Sequence, residues 1–395
     1  MSIGDEHHAD AIVVGGGPAG LVAALLLAKG GVKTVLLAPP APPDTRTTAL
    51  MQSSLQALEE IGVWTELRSH AGALRRLRIV DATDRLLRGP ELLFHASEIG
   101  LEAFGYNIEN TRLVEALHEH AGRAENLTLT PESAAAIRHD GDRVIVDLAD
   151  GRSLSASLLV GADGRNSMSR KAAGISVRER LYPQAALTLN LRHSGDHGEV
   201  STEFHTRNGP MTLVPLPGQR ASLVLVTTPD EAEWLSKLDD AALGHELTRR
   251  THGLLGAMTP NSRRGVRPLG MMRADRLARK RVALVGEAGH VLPPIGAQGL
   301  NLGVRDAAAI AGAAAAALRQ GVDPGTDGVL AAYEKDRSGD VHSRAFAVDA
   351  LNRSLLSDLL PAQAARSAGL WLLSCFGPLR REVMRQGMAM HARRT

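Results

Sequence analysis

Gly15-Gly16-Gly17-Pro18-Ala19-Gly20 fits the pattern G-x-G-x-x-G. It follows the apolar run at residues 11–14 and opens the almost wholly apolar stretch at residues 21–28, with a second β-rich run at residues 34–37. Strand, glycine turn, helix and strand make a βαβ unit. In that setting Gly15 permits the tight turn, Gly17 lets the backbone approach a pyrophosphate, and Gly20 allows close helix–strand packing. The helix N-terminus then offers free N–H groups and the positive end of its dipole to the phosphates. The predicted chemistry is dinucleotide binding. One expected group is missing: an acid for the ribose should lie about 20 residues past the motif. Position 38 is Ala38, and the nearest acid is Asp44, beyond the proline-rich residues 39–43. Either other groups meet the ribose hydroxyls or the nucleotide is held weakly.

Two further glycine motifs recur at strand ends. Gly161-Ala162-Asp163-Gly164 follows the apolar residues 158–160; taken alone it is a strand-to-turn corner with Asp–Gly turn chemistry. Gly286-Glu287-Ala288-Gly289-His290 closes the buried strand at residues 281–285 and leads into Pro293-Pro294-Ile295-Gly296-Ala297-Gln298-Gly299-Leu300-Asn301-Leu302-Gly303. A loop that only capped a helix beginning at Asp306 would not need three glycines and two prolines. Gly296 and Gly299 let backbone N–H groups approach a planar ligand, and the next helix N-terminus stabilises negative charge on it.

The elements that must position these motifs follow from pattern. Residues 53–67 suit an amphipathic helix ending near Gly62, and residues 111–121 another. From about residue 175 to 228, short β-rich runs alternate with Gly/Pro/His/Asp clusters, as in an antiparallel sheet. Residues 306–319 form an Ala-rich helix, and the chain beyond 331 is mostly helical. The class is α/β, α+β overall. Residues 1–174 and 265–330 form a discontinuous nucleotide-binding domain, 175–264 an inserted sheet domain, and 331–395 a helical C-terminal region.

The 395 residues carry 45 Lys+Arg against 43 Asp+Glu, so the net charge is +2, and aromatics are 3%. That balance argues against a nucleic-acid binder, which needs a basic footprint or a stacking platform. One cysteine, Cys375, excludes an intramolecular disulfide and a Cys-based metal cage. The N-terminus has no secretory pattern, and the longest small-apolar run, residues 307–318, is too short to span a bilayer. A cytoplasmic protein, or one peripheral at a bacterial inner membrane, is expected.

The three motifs, in this order and spacing, resemble the FAD-dependent aromatic hydroxylases, the single-component flavoprotein monooxygenases, over essentially the whole chain. Within that family the closest likeness is to the ubiquinone-biosynthesis hydroxylases. It is carried by Pro294-Ile295-Gly296-Ala297-Gln298-Gly299-Leu300-Asn301-Leu302-Gly303-Val304-Arg305-Asp306, by Tyr106-Asn107-Ile108-Glu109-Asn110-Thr111-Arg112-Leu113, and by Asp349-Ala350-Leu351-Asn352-Arg353. The resemblance implies a Rossmann-like FAD-binding domain with an inserted, mostly antiparallel substrate domain. It places Gly15, Gly17 and Gly20 at the FAD pyrophosphate and Asp163 in the motif near the pyrophosphate and the nicotinamide path. Arg46 matches an Arg beside the flavin nucleotide, and Asn110 stands where other aromatic hydroxylases commonly have Arg. Pro294, Gly296, Gln298, Gly299 and Asn301 belong to the loop along the ribityl chain and the isoalloxazine edge. Glu287 stands where the family usually has Asp; its carboxylate reaches roughly 1.5 Å further.

By the same resemblance FAD is bound without a covalent link and NAD(P)H visits as a transient reductant. O2 then gives a flavin C4a-hydroperoxide that hydroxylates an electron-rich ring, and no metal is needed. The implied substrate is a polyprenyl phenol or benzoquinol intermediate of ubiquinone synthesis. Two alternatives differ in class: a hydroxylase of catabolism or secondary metabolism acting on a soluble phenol, and a flavin-binding scaffold without turnover. His290 is read as a structural neighbour of the loop, and His193 and His205 as packed strand residues, with no catalytic base assigned. Residues 361–395 hold Arg366, Arg380, Arg381, Arg385, Arg393 and Arg394 against Glu382 alone, next to Leu370-Trp371-Leu372-Leu373 and Phe376. Basic charge beside apolar side chains suits contact with an anionic membrane or with other ubiquinone-pathway proteins. A helix that merely covers the core with its apolar face fits the same pattern.

Overall fold

The computed structural model describes residues 8–83, 88–357 and 359–388. Its first sheet is built on the strand His8–Val14, which pairs in parallel with Thr34–Leu37 on one side and Ser153–Gly161 on the other. Leu127–Thr130 and Val282–Leu284 extend it outward, again in parallel. Side chains of the central strand alternate between two core clusters, Ala11 and Val13 in one and Ile12 and Val14 in the other. Burial on both faces is why these strands read as continuous apolar runs. The helix Pro18–Lys29 lies between this sheet and the helices Asn110–Arg123 and Gln298–Arg319. All its residues from Gly20 to Ala28 are buried, so it is apolar round its whole circumference.

The second sheet is mostly antiparallel. Val177–His193, Arg220–Thr227, Gly209–Leu216 and Val200–Thr206 form its middle. It is wider than the segment 175–264. Gly265–Ala274 pairs with Val177–His193, and the N-terminal third contributes Arg76–Asp81 and Leu92–His95. Leu187, Leu189 and Leu191 pack with Leu235, Leu243 and Leu247 of the helices Pro229–Lys237 and Asp240–Arg250. The period of two therefore turns Thr188 and Asn190 to the opposite face. A small sheet of Thr47–Met51, Gly105–Glu109 and Gly72–Ala73 joins the two large ones.

Several expected boundaries move. The helix expected over 53–67 is two pieces, Gln52–Glu60 and Trp64–Leu67. The helix expected to start at Asp306 starts at Gln298, after Ala297 turns the chain with φ 53°. Gly303 is thus helical. A Cβ there would stand 3.1 Å from the Gly286 Cα, so this glycine serves close approach between the third motif's turn and the helix. The long helix Asp327–Leu356 packs on Gln298–Arg319, and at its far end Asn352 donates to the Gln184 side chain of the second sheet at 2.9 Å. Two shorter helices follow, Leu360–Cys375 and Gly377–Gly387.

Candidate cofactor and substrate site

The first motif forms as a phosphate cradle should. Gly15 sits at φ 121°, and a Cβ there would lie 2.3 Å from the Ala162 carbonyl oxygen. A Cβ at Gly20 would lie 1.9 Å from the Gly15 carbonyl oxygen, so helix and strand touch backbone to backbone. Gly17 differs. Its φ of −74° suits any residue, and a Cβ there would meet no protein atom within 4 Å. It precedes a helix with no side-chain cap, so no capping side chain takes the first N–H groups of that helix. Ala38 presses on the same turn: a Cβ on Gly16 would be 2.7 Å from the Ala38 Cβ.

Asp44, the acid beyond the prolines, organises the next group. Arg46 donates to both its carboxylate oxygens, Nε at 2.8 Å and Nη2 at 2.7 Å, and Asn110 Nδ2 donates to it at 2.8 Å. Asn110 Oδ1 in turn accepts from Thr48 Oγ1 at 2.6 Å. Burial pushes the Asp44 carboxyl up, but the hydrogen bonds from Arg46 and Asn110 outweigh it and hold the group below the usual range. The Arg46 guanidinium is raised, chiefly by its bond to Asp44, and the charge of Glu287 adds to this. Arg46 and Glu287 of the third motif thus lie within electrostatic reach of each other. Glu287 itself stands exposed between the buried Gly286 and Ala288.

The second motif's carboxylate is occupied locally. Asp163 accepts from Ser167 Oγ at 2.5 Å, from the Ser169 N–H at 2.9 Å and from Ser169 Oγ at 3.0 Å. It fixes the turn into the helix Met168–Ala172. From that helix the buried Arg170 donates to the Ala288 carbonyl at 2.8 Å and so ties the second motif to the third. Sequence reading missed Arg170, because its partner lies 118 residues away.

In the third motif, Pro294, Gly296 and Gly299 are exposed while Ile295 is buried. Gln298 is braced from both ends: it donates to the Gly296 carbonyl at 2.8 Å and accepts from Arg344 of the long helix at 2.7 Å. Asn301 is buried, and its side chain is fully engaged. Oδ1 accepts from the Met51 N–H and Ser54 Oγ, at 2.8 and 2.6 Å; Nδ2 donates to the Ala49 and Ala297 carbonyls, at 2.7 and 2.6 Å. That side chain holds the loop against the strand Thr47–Met51, with no hydrogen-bonding group left for a ligand. Below the loop, the fully buried Asp306 accepts from the Gly286 N–H, His290 Nε2 and Arg337 Nε, at 3.1, 2.6 and 2.9 Å. Burial pushes the Asp306 carboxyl up; His290 and Arg337 more than offset this and hold it low. His290 is a buried partner of Asp306, and His193 and His205 are buried against the Gly195 carbonyl and Glu203.

The face of the second sheet turned away from its helices meets the loop through Val214, which packs in one apolar cluster with Ala297. Thr188, Val224 and Thr212 stand side by side across three strands, half-buried. Nearby, Leu77, Ile79 and Val214 share an apolar cluster with Ala49 and Met51 of the small sheet and Ala297 of the loop. Leu370, Leu373 and Met384 of the C-terminal helices, with Met388 just past the end of the last one, complete that cluster. These helices are pinned by two ion pairs. Arg366 meets the buried Asp81 at 3.5 Å, and Arg380 meets Glu98 at 2.7 Å while lying over the Phe94 ring. Two of the six arginines expected to be free for a membrane are therefore structural, and Arg393 and Arg394 lie outside the described residues.

The residues present fit FAD. Gly17 leaves its side open, two helix N-termini carry no side-chain cap, Glu287 and Arg46 present opposite charges within electrostatic reach of each other, and Gly296 and Gly299 of the loop are exposed. The FAD binding domain family model matches residues 8–345. A ubiquinone hydroxylase, UbiL, of Rhodospirillum rubrum is 35% identical over 347 residues, 87% of this chain and 80% of its own. The 3-demethoxyubiquinol 3-hydroxylase of Escherichia coli is 30% identical over 88% of each chain. PqsL of Pseudomonas aeruginosa, a probable FAD-dependent monooxygenase, superposes with a TM-score of 0.77 at 27% identity, over 92% of this chain and 100% of that one. The chain belongs to the FAD binding domain family and, within it, to the FAD-dependent aromatic-ring monooxygenases.

Proposed function

We propose that this protein hydroxylates the aromatic ring of a polyprenyl phenol or benzoquinol intermediate of ubiquinone biosynthesis, with NAD(P)H as transient reductant and O2 as co-substrate. The observation that carries this reading is the apolar cluster over the flavin loop, which brings Ala297 together with Val214 of the sheet and Leu370 of the C-terminal helices. A soluble phenol asks for polar partners, whereas this wall suits a ring bearing a long hydrocarbon chain. The two ubiquinone-pathway relatives support the same substrate class.

When bound, FAD would supply the redox chemistry, hydride acceptance from NAD(P)H and activation of O2. The chain's own residues hold and shield it. The turn at Gly15 to Gly20 and the helix behind it would hold the pyrophosphate, Arg46 would hold the nucleotide, and Glu287 would bind the ribityl hydroxyls. The backbone at Gly296 and Gly299, with the helix N-terminus at Gln298, stabilises negative charge at the isoalloxazine edge. Asp306, Arg170 and Asn301 act through the loop by fixing its position. The sheet face and the apolar cluster orient the ring and exclude water. Among the described residues no helix is long and apolar enough to cross a membrane.

The test is turnover of a prenylated against an unprenylated phenol, read as ring hydroxylation by mass and as NAD(P)H consumed per product. Preferred turnover of the prenylated ring is expected. Faster coupled turnover of the unprenylated phenol overturns the substrate assignment.

A further inference from the structure

The helix Leu360–Cys375 is apolar on both sides. Leu370 and Leu373 face inward, and a Cβ on Gly89 would stand 2.5 Å from Leu370 Cδ1. Its one charge, Arg366, is turned inward onto Asp81. The outward side carries Ala364, Ala368, Trp371, Leu372 and Phe376, all exposed, with Trp371 at 59% and Phe376 at 57%. Leu379 and Val383, one turn apart and both exposed, extend the patch onto the helix Gly377–Gly387. Exposed aromatic and aliphatic side chains in one contiguous face mark a docking surface, and covering the core does not explain them.

Charge selects the occupant. Arg381 and Arg385 are exposed on the second helix, and among the described residues no carboxylate pairs with either. Glu382, the one acid of the two helices, accepts from Gln386. A second copy docked through this face would bring two such Arg pairs together with nothing to neutralise them. Anionic lipid headgroups satisfy both cations, and the acyl region accepts Trp371 and Phe376.

We infer that the outward face of residues 364–385 seats this enzyme on an anionic bilayer. The inward face of the same two helices lines the apolar cluster over the flavin loop. Docking through the outward face therefore sets that cluster and the flavin loop beside the lipid that holds the polyprenyl tail. This deepens the hydroxylase reading above and rests on it for the identity of the tail.

Holoenzyme is sedimented with vesicles of phosphatidylcholine, with and without phosphatidylglycerol, at low and high salt. Binding to the anionic vesicles at low salt is expected. It should fall at least tenfold in Trp371→Ser/Phe376→Ser and about tenfold in Arg381→Gln/Arg385→Gln. These side chains point away from the site, so FAD content and turnover of a detergent-solubilised prenylated phenol stay unchanged, while turnover of the same phenol in vesicles falls. Cys375 is the sole cysteine and is exposed within the patch. A nitroxide on it should gain accessibility to O2 and lose accessibility to a water-soluble nickel chelate when vesicles are added. Absence of co-sedimentation at low salt, unchanged binding by Trp371→Ser/Phe376→Ser, or a solution dimer abolished by those substitutions without vesicle binding would overturn the proposal. Vesicle binding with no turnover of any ring upholds the docking surface and sinks the hydroxylase reading alone.

Discussion

Replacing Gly17 separates a ligand-binding glycine from a packing glycine. Gly17 has φ −74° and ψ 171°, ordinary for an L-residue, and a Cβ on it would meet no protein atom within 4 Å. The apoprotein of Gly17→Val should therefore match the parent within about 0.5 kcal/mol, as for a surface change away from strained features. Gly20→Ala is the control, because its Cβ would be forced to 1.9 Å from the Gly15 carbonyl oxygen. Overpacking of that kind costs about 1–3 kcal/mol or more. For FAD the order reverses in cause. Val at 17 fills the space through which the pyrophosphate reaches the backbone, and each charge-assisted hydrogen bond lost is worth about 1.5–3 kcal/mol, so Kd should rise about 10- to 150-fold per bond. The assays are thermal unfolding of the apoprotein by circular dichroism and titration of the apoprotein with FAD, preferred over FMN. Unchanged FAD affinity in Gly17→Val, or an apoprotein as unstable as Gly20→Ala, would refute the reasoning.

Two further outcomes follow from the third motif. Glu287→Ala should weaken FAD binding by the worth of one charged hydrogen bond, about 1.5–3 kcal/mol, without changing apoprotein unfolding, since Glu287 is exposed and makes no protein hydrogen bond among the described residues; Glu287→Asp should bind as well or better, and equal affinity in all three proteins would reduce the motif to a plain loop. Asp306→Asn removes the carboxylate under Gly286 and leaves the buried Arg337 with Asp340 as its one remaining carboxylate among the described residues, at a cost of about 3 kcal/mol at pH 7, the low end for breaking a buried pair. Because the Asp306 pKa is depressed in the folded state, its contribution is complete above the ordinary aspartate value of 3.8 and is lost as pH falls below it towards the folded value. The acid limb of a stability–pH curve should therefore be shallower in Asp306→Asn; an identical limb would show that Asp306 does not carry the acid sensitivity.

Much of the fold was legible because its determinants are local. Periodicity in residues 11–37 and the spacing of Gly15, Gly17 and Gly20 specify strand, turn and helix within a few residues of themselves. The resemblance placed Arg46, Asn110 and Glu287 in one site, and the structure brings Asn110 onto Asp44 beside Arg46 and puts Glu287 within reach of Arg46. The helix start was misread for a local reason. Gly299 and Gly303 signal a loop by propensity, but contact between Gly303 and Gly286 makes a helix there favourable.

What only the tertiary structure decided is which side chains are free. Asn301 belongs to the flavin loop by sequence, yet its side chain is taken by Ala49, Met51, Ser54 and Ala297, all but the last some 250 residues away. Arg380 looked like a membrane-facing cation until Glu98, 282 residues away, was found beneath it. Arg366 is likewise claimed by Asp81, and Arg170 by the Ala288 carbonyl. A sequence states which residues carry charge and which segments are apolar. Whether a charge is neutralised, and whether an apolar face is covered, depends on partners that only the folded chain brings into contact, and so Trp371, Phe376, Arg381 and Arg385 emerge as surface only once the core has been assembled.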